Sequence, residues 1–391
     1  MKYNFDKVID RSGMSAEKVE GLKHIWGRTD LIPLWVADMD FATAPFVTDA
    51  IRKRCENEVL GYTGKPDSYY NAIINWVKQR YDLVVAKEMI NFVPGIVPGI
   101  GMAMNCFTQK GDKVMIQPPV YHPFAWVTTR NERTLVTNPL KWENGMYRMD
   151  LDTFREQIKG CKLFILCNPH NPGGVVWTEA ELRAIADICY DEKVLVFSDE
   201  IHADLTLPPH THRPFATVSE KARMNSVTFM SPSKAFNMPG LSASHALIFN
   251  EDLRKRFRIY MDAGELDMGH VFAFLSVEAA YSHGTEWLDQ CLAYIQGNID
   301  FVDEFLKKHA PKIKAIRPEA SYLVWLDCRE LKLSQKDLNE FFVDKAHLAL
   351  NDGEMFGKEG IGFMRLNVAS PRCIIEKAMK QLADAYQLYI K

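Results

Sequence analysis

Short apolar runs alternate with longer amphipathic stretches through the middle of the chain. Five runs have the length of β-strands, at 113–117, 163–167, 194–198, 227–230 and 243–249. The stretch 179–191 predicts an α-helix, because its apolar residues recur at helical spacing and Thr178 can cap its first turn. Short apolar strands separated by helices indicate an α/β fold with a largely parallel sheet covered on both faces.

The pattern changes after about residue 285, where a long helix, two strands and a closing helix are predicted at 286–309, 321–327, 362–368 and 371–389. We therefore predict a large domain over 46–285. A smaller α/β domain is expected to combine 1–45 with 286–391. No change in composition marks a linker between the two domains.

The charge balance narrows the choice of partners. The chain of 391 residues has 47 basic and 50 acidic side chains, a net charge of −3 and no basic stretch. We therefore expect neither nucleic acid nor a membrane as a partner. The N-terminus has no apolar signal core, and the apolar stretch 92–107 is interrupted by prolines and glycines and is shorter than the ~20 residues of a spanning helix.

The eight cysteines are scattered along the chain and form no C-x-x-C pair. This pattern favours free thiols in a reducing compartment over disulfides or a zinc site. We therefore expect a cytoplasmic protein without a bound metal ion.

Charged, amide, proline and glycine residues form four distinctive segments at the ends of apolar runs. Ligands of an open α/β sheet lie beyond the carboxyl ends of its strands, so these residues are candidates for chemistry. Lys234 lies in the sequence SPSKAFN at 231–237. A lysine at a strand end is usually solvated, but flanking serines can donate to a phosphate and favour a catalytic amine.

Asp199 and Glu200 directly follow the run at 194–198. An acidic pair at this place can bind magnesium, cap a helix or serve a cofactor.

Two further segments are rich in proline and glycine. The sequence NPHNPGG at 168–174 predicts a rigid turn that positions the Asn171 amide as a donor, or a tight loop without chemistry. The sequence VPGIVPGI at 93–100 leads into a helix, where Gly95 can expose backbone N–H groups to a phosphate. Glycine turns before helices are common, so this segment indicates little by itself.

Taken together, these motifs resemble a known family. N-P-x-N-P-x-G, S-D-E and S-x-S-K follow one another at intervals of about thirty and thirty-five residues. This order resembles the fold-type-I enzymes of aminotransferase class I/II, which depend on pyridoxal 5′-phosphate (PLP). Within that family the chain is most similar to the cystathionine β-lyase (C–S lyase) branch, the MalY/PatB type. The matching stretches are PLWVADMDF at 33–41, GY at 61–62, QPPVY at 117–121, SDEIH at 198–202, SKAFN at 233–237 and GFMRLN at 362–367.

The resemblance implies a large domain with a mostly parallel, seven-stranded sheet, a smaller C-terminal α/β domain and PLP as the cofactor. It implies that Lys234 holds the cofactor as a Schiff base and moves protons at Cα of the substrate. Asp199 would face the pyridine nitrogen and Asn171 the ring hydroxyl. Tyr121 would stack on the ring as a catalytic residue, although a tyrosine without such a motif is more often an ordinary half-buried side chain. His202 would lie near the ring, where many relatives have a tyrosine, and its role stays open.

The resemblance also implies how the phosphate and the substrate are bound. The phosphate would be held by amides and hydroxyls of Gly95, Ile96, Val97, Ser231 and Ser233. Tyr62 would reach the same phosphate from the other subunit of a homodimer with a shared active site. Arg365 would bind the carboxylate of a small amino-acid substrate bidentately, and Ala37 would contact that substrate too.

One departure from the family pattern separates its branches. Many aminotransferases have a phosphate-binding arginine eight residues after the lysine, and this chain has Ser242 there. The lyase branch shares this absence, which favours the lyase. The segment 350–357 also differs from the usual form, and its place before Arg365 bears on substrate preference.

We therefore predict a PLP-dependent C–S β-lyase that converts cystathionine or a similar cysteine conjugate to a thiol, pyruvate and ammonia. One alternative is an aminotransferase, which would use the same site. Another is a PLP-binding regulatory protein that acts through a binding partner. The complete set of Lys234, Asp199 and Asn171 argues against a purely regulatory protein.

Overall fold

Helices and strands alternate along residues 3–389, which are the residues that the computed structural model describes. The α-helices are α1 Glu17–Trp26, α2 Pro45–Cys55, α3 Asp67–Tyr81, α4 Ile96–Phe107, α5 Pro123–Arg130, α6 Leu151–Gln157, α7 Glu179–Asp191, α8 Glu220–Met224, α9 Glu251–Ala263, α10 Val271–His283, α11 Thr285–His309, α12 Gln335–Glu340 and α13 Arg372–Tyr389. The strands are β1 Ile32–Pro33, β2 Ile90–Val93, β3 Lys113–Ile116, β4 Thr134–Thr137, β5 Lys141–Glu143, β6 Met146–Arg148, β7 Cys161–Cys167, β8 Leu195–Asp199, β9 Ser226–Met230, β10 Ser244–Leu247, β11 Lys314–Ile316, β12 Leu323–Asp327, β13 Leu348–Ala349, β14 Asn351–Asp352 and β15 Phe363–Asn367.

A sheet of seven strands lies at the centre of the fold, in the order β2-β10-β9-β8-β7-β3-β4. The strands from β9 to β4 pair in parallel, whereas β10 runs antiparallel to both of its neighbours. The predicted largely parallel sheet is therefore confirmed. The predicted run at 243–249 supplies its antiparallel strand, which is shorter than the run itself.

The residues of β7 show how this sheet is buried on both faces. Leu163 packs in one core cluster with Ile100 of α4, whereas Phe164 packs in another with Ile185 of α7. Successive side chains of a strand point to opposite faces, so a continuous apolar run is what a sheet between two helical layers requires.

A second, antiparallel sheet forms in the C-terminal part of the chain, in the order β11-β12-β15-β14. Strand β1 pairs in parallel with β13 and so joins the N-terminal part of the chain to the C-terminal part. A smaller α/β unit beside the large sheet agrees with the predicted fold class. The pairing supports our proposed division into 46–285 and 1–45 with 286–391, of which residues 1, 2, 390 and 391 lie outside the described residues.

Several features of composition can be located in the fold. Every helix within residues 3–389 is too short or too polar to span a lipid bilayer. All eight cysteines are free, and of these Cys55 and Cys373 are exposed. Within the described residues, no group of three or more His, Cys, Asp or Glu side chains is arranged to hold a metal ion.

The predicted helix at 179–191 and its cap are confirmed as α7. The amide of Glu181 donates to Thr178 Oγ1 at 3.2 Å, and the amide of Thr178 donates to Glu181 Oε2 at 2.8 Å. This reciprocal pair satisfies N–H groups that the helix cannot pair internally.

Replacing Thr178 with alanine removes the acceptor for the Glu181 amide. We expect the substitution to lower the free energy of unfolding by about 1 kcal/mol, measured by urea unfolding followed by circular dichroism. Thr178→Ser keeps the hydroxyl and serves as the control. Equal losses in the two variants would contradict the capping role.

Candidate active site

A cavity of about 200 Å³ lies at the carboxyl edge of the parallel strands. It brings together the ends of β2, β7, β8 and β9, which are far apart in the sequence. Ten of the predicted site residues line it: Ala37, Gly95, Ile96, Val97, Tyr121, Asn171, Asp199, His202, Ser233 and Lys234.

Lys234 lies in the loop after β9 and is held by a backbone group. Its amine donates to the carbonyl oxygen of Ala37 at 2.7 Å. Burial lowers the pKa of Lys234 to about 8, and the charges of Asp38 and Arg365 act in opposite directions on it. An amine with this pKa is partly unprotonated near neutral pH, as a nucleophile or a base has to be.

Asp199 is the last residue of β8 and is buried. Its Oδ1 accepts a hydrogen bond from the Ile201 amide at 3.0 Å. Burial raises the pKa of Asp199 to about 7, an effect that the Ile201 N–H offsets in part. The raised pKa shows that no neighbouring cation fully compensates the burial of this carboxylate. A cationic group in the cavity would therefore stabilise the ionised form of Asp199.

Asn171 and Arg365 form a buried pair beside the cavity. The Arg365 Nη1 donates to Asn171 Oδ1 at 3.0 Å, and its Nη2 donates to Asn351 Oδ1 and to the Trp35 carbonyl. Because Arg365 occupies the Asn171 oxygen, the Asn171 NH₂ group is the part of the amide that can donate to a ligand. The Arg365 Nε is buried and has no hydrogen-bond partner within residues 3–389.

Helix α4 begins at the cavity with Gly95 as its N-cap. Gly95 has a φ of +136°, a conformation that favours glycine, and an added Cβ would meet Pro98 Cδ at 3.3 Å. The first amides of a helix have no internal partner and carry partial positive charge. The Ile96 and Val97 amides can therefore bind an anion such as a phosphate.

Two ring side chains complete the cavity wall. Tyr121 is half-buried and packs edge-on against Phe124, with ring centroids 5.7 Å apart. His202 is buried, and its Nδ1 has no hydrogen-bond partner among the described residues. Burial lowers the pKa of His202 to about 3, so the imidazole is neutral at physiological pH.

Three predicted residues do not line the cavity. Arg365 lies behind Asn171, as described above. The Ser231 hydroxyl donates to the Ala243 carbonyl at 2.8 Å and accepts from the Ser233 amide. Tyr62 is 99% exposed and lies in a loop with Val59 and Leu60, which are also exposed. The phosphate roles of Ser231 and Tyr62 stay predictions.

The cavity also contains residues that the strand-end argument missed. Ser242, Ala243 and Ser244 line it at the start of β10. Ser242 and Ala243 precede this strand in the sequence, and Ser244 is its first residue. Only the antiparallel direction of β10 places its start at the carboxyl edge of the other strands. Ser242 could be found through its position eight residues after Lys234, whereas Ser244 had no signal.

A segment comprising residues 35–41, hereafter the 35–41 segment, links the Lys234 loop to the second sheet. Asn237 donates from Nδ2 to the carbonyls of Met39 and Phe41 at 3.0 and 2.7 Å. From the other side, Asn367 Nδ2 donates to the carbonyls of Val36 and Asp38, both at 2.7 Å. The predicted contact residue Ala37 therefore lies in a segment that is hydrogen-bonded both to the Lys234 loop and to the end of β15.

The groups around the cavity fit the parts of PLP. Asp199 can pair with a protonated pyridine nitrogen, and the Asn171 NH₂ can donate to a ring hydroxyl. The first turn of α4 can bind the phosphate, and Lys234 provides an amine for the aldehyde. An open α/β sheet with these groups at its carboxyl edge defines a PLP-dependent enzyme of fold type I.

The chain belongs to the aminotransferase class I and II family, whose model matches residues 29–382. It is 38% identical over 384 residues to cystathionine beta-lyase PatB of Bacillus subtilis (strain 168), with 98% of this chain and 99% of that protein covered. These matches confirm the family that the sequence motifs predicted.

Two solved structures resemble the whole chain. A PLP-bound protein of Clostridium difficile 630, provisionally described as an aminotransferase, is 40% identical with a TM-score of 0.96 and covers 98% of this chain and 100% of its own. Cystalysin of Treponema denticola, whose structure contains PLP, is 33% identical with a TM-score of 0.96 and 100% of both chains covered. PLP as the cofactor is thereby confirmed.

The lowered pKa of Lys234 predicts how the apoprotein captures its cofactor. The unprotonated amine is the nucleophile, so the capture rate should rise about tenfold from pH 7 to pH 9 and then level off. Stopped-flow absorbance after mixing apoprotein with PLP measures this rate, and Lys234→Ala is the control without covalent capture. A rate that continues to rise beyond pH 10 would indicate an ordinary lysine.

Proposed function

We propose that this chain is a PLP-dependent C–S β-lyase that cleaves cystathionine or a similar cysteine conjugate. The observation that supports this most directly is full-length similarity to a cystathionine beta-lyase. The cavity adds a lysine amine and a buried carboxylate, and a buried arginine is hydrogen-bonded to Asn171 in the cavity wall. The products would be a thiol, pyruvate and ammonia, with one water molecule consumed.

Three side chains of the cavity would have separate roles in removing the proton from Cα of the substrate. When bound, PLP supplies an acceptor for the electrons left at Cα. The Lys234 amine would take the proton from Cα, since its pKa of about 8 lets it lose and gain a proton near neutral pH. The Asp199 carboxylate would stabilise a positive charge on the pyridine nitrogen, and the Asn171 NH₂ would donate to the ring hydroxyl.

Arg365 would orient the substrate through its carboxylate. Burial lowers the pKa of Arg365 to about 10, so the guanidinium remains charged at neutral pH. Its Nη2 makes two hydrogen bonds within the protein and its Nη1 makes one, whereas the buried Nε makes none among the described residues, so Nε is a donor in need of an acceptor. Tyr121 would pack on the ring, and Ser233 with the amides of α4 would hold the phosphate.

An aminotransferase is the second candidate, because both reactions begin with removal of the Cα proton. One solved relative is provisionally described as an aminotransferase. Ser242 favours the lyase, since it lines the cavity where many aminotransferases have a phosphate-binding arginine.

L-Cystathionine supplied without a keto acid separates the two reactions. We expect pyruvate, ammonia and free thiol to form in equal amounts over many turnovers, measured by coupled assays and thiol titration. Lys234→Ala should form none of them. A reaction that stops after one turnover per site and resumes when a keto acid is added would identify an aminotransferase, and no turnover at all would favour the regulatory alternative.

We also propose a homodimer in which Tyr62 completes the phosphate site of the partner subunit. Tyr62 is 99% exposed and does not contribute to the cavity of its own chain. Val59 and Leu60 nearby are 70% and 60% exposed, as expected for a loop that a second subunit covers. A cytoplasmic location stays a prediction from the free cysteines.

Mixed subunits test the shared site. In a hybrid of Tyr62→Ala with Lys234→Ala, one of the two sites has an intact lysine and receives an intact tyrosine from its partner. Random exchange of equal amounts should therefore recover about one quarter of the wild-type lyase activity. Absence of recovery, with subunit exchange verified by native mass spectrometry, would contradict a shared site.

A further inference from the structure

Lys18 of α1 is a buried lysine outside the cavity. Its side chain is 0% exposed. Its Nζ lies 2.9 Å from Asp40 Oδ2 and 3.5 Å from Asp38 Oδ1, and it also donates to the Asp38 carbonyl at 3.4 Å. A buried ammonium group is costly without such partners, so the position of Lys18 is tied to both carboxylates.

A second cation completes this cluster. The Arg11 Nη2 lies 2.6 Å from Asp38 Oδ2, and its Nη1 lies 3.3 Å from Asp40 Oδ1. Two cations thus face two carboxylates, and the cluster is neutral as a whole. The Trp35 Nε1 donates to the Lys18 carbonyl at 3.0 Å, which fixes the start of the 35–41 segment to α1.

The same segment supplies the acceptor for the catalytic amine. The Ala37 carbonyl accepts from Lys234 Nζ at 2.7 Å and from the Tyr322 hydroxyl at 2.9 Å. Ala37 precedes Asp38, whose carboxylate binds Lys18 and Arg11. A shift of Asp38 would therefore move the carbonyl that holds the Lys234 amine.

We propose that Lys18 is a positioning residue that fixes, through Asp38 and Asp40, where the Ala37 carbonyl holds the Lys234 amine. The proposal rests on the proposed role of Lys234 as the base at Cα. An amine that must face one C–H bond depends on such an anchor, because a misplacement of about 1 Å can cost on the order of 10²-fold in rate.

Two variants separate positioning from folding. Lys18→Met keeps a chain of similar length but leaves two carboxylates without their lysine. Lys18→Met/Asp40→Asn also removes one of those carboxylates, so less uncompensated charge stays buried. Lys110→Met is the matched control, since Lys110 is 72% exposed, pairs with Glu132 and is a surface lysine.

The first measurement uses the apoprotein. Hydrogen–deuterium exchange followed by mass spectrometry reports the protection of backbone amides in the 35–41 segment. We expect faster exchange of this peptide in both Lys18 variants and unchanged exchange in Lys110→Met. Peptides from β7 and β8 should exchange as in the wild type in all variants.

The second measurement uses the PLP-saturated protein with L-alanine in D₂O. L-Alanine has a Cα proton but no leaving group at Cβ, so its exchange, followed by NMR, reports proton transfer alone. Both Lys18 variants should exchange this proton about tenfold to a hundredfold more slowly than the wild type at equal bound PLP. Lys110→Met should exchange at the wild-type rate.

The outcomes distinguish this proposal from the proposed lyase function. Wild-type proton exchange in both Lys18 variants, or unchanged protection of the 35–41 segment, would overturn the role of Lys18. If the wild type forms no pyruvate from L-cystathionine but exchanges the L-alanine proton in a Lys18-dependent way, the lyase function fails and the role of Lys18 stands.

Discussion

The site depends on one constraint: the Lys234 amine and the Asp199 carboxylate are both buried away from water in the same cavity. Burial lowers the pKa of Lys234 to about 8 and raises that of Asp199 to about 7, because each charged form loses hydration. The protein offsets this with the Ala37 carbonyl at Lys234 and one backbone N–H at Asp199. The offset is incomplete, and the remaining need for a cation at Asp199 is what a protonated pyridine ring would meet.

Arg365 connects the cavity of the larger sheet to the smaller sheet. It lies on β15 of the smaller sheet, yet it bonds to Asn171 after β7 of the larger sheet and to the Trp35 carbonyl. The proposed carboxylate ligand and the proposed ring-hydroxyl ligand are therefore held by one hydrogen bond. Any motion of one sheet relative to the other would change the position of the substrate relative to the cofactor ring.

The apolar runs predicted five of the seven strands of the large sheet, all except β2 and β4, and the residues after them predicted most of the cavity. Parallel strands with helices on both faces require continuous apolar runs, and their carboxyl ends meet at one edge, so the sequence alone places Asn171 and Asp199 together. Ser244 was not predicted, because the direction of β10 cannot be deduced from an apolar run. Lys18 was not predicted either, since a lysine on an amphipathic helix is usually solvated and its partners Asp38 and Asp40 are distant in sequence.

The protonation states in the cavity also bear on which bond at Cβ can break. His202 is neutral because burial lowers its pKa to about 3, and burial raises the pKa of Tyr121, so neither is an effective acid near neutral pH. In the proposed function Asp199 is ionised against the pyridine nitrogen, and Lys234 can donate only the proton that it has just taken from Cα. A thiolate can leave without a proton, since thiol pKa values are about 8.5, whereas hydroxide or an amine leaves poorly unless it is protonated. Because the cavity has few groups that can protonate a leaving group, it favours cleavage of a Cβ–S bond over cleavage of a Cβ–O or Cβ–N bond. Its fit to the amino-acid end of the substrate favours the same reaction.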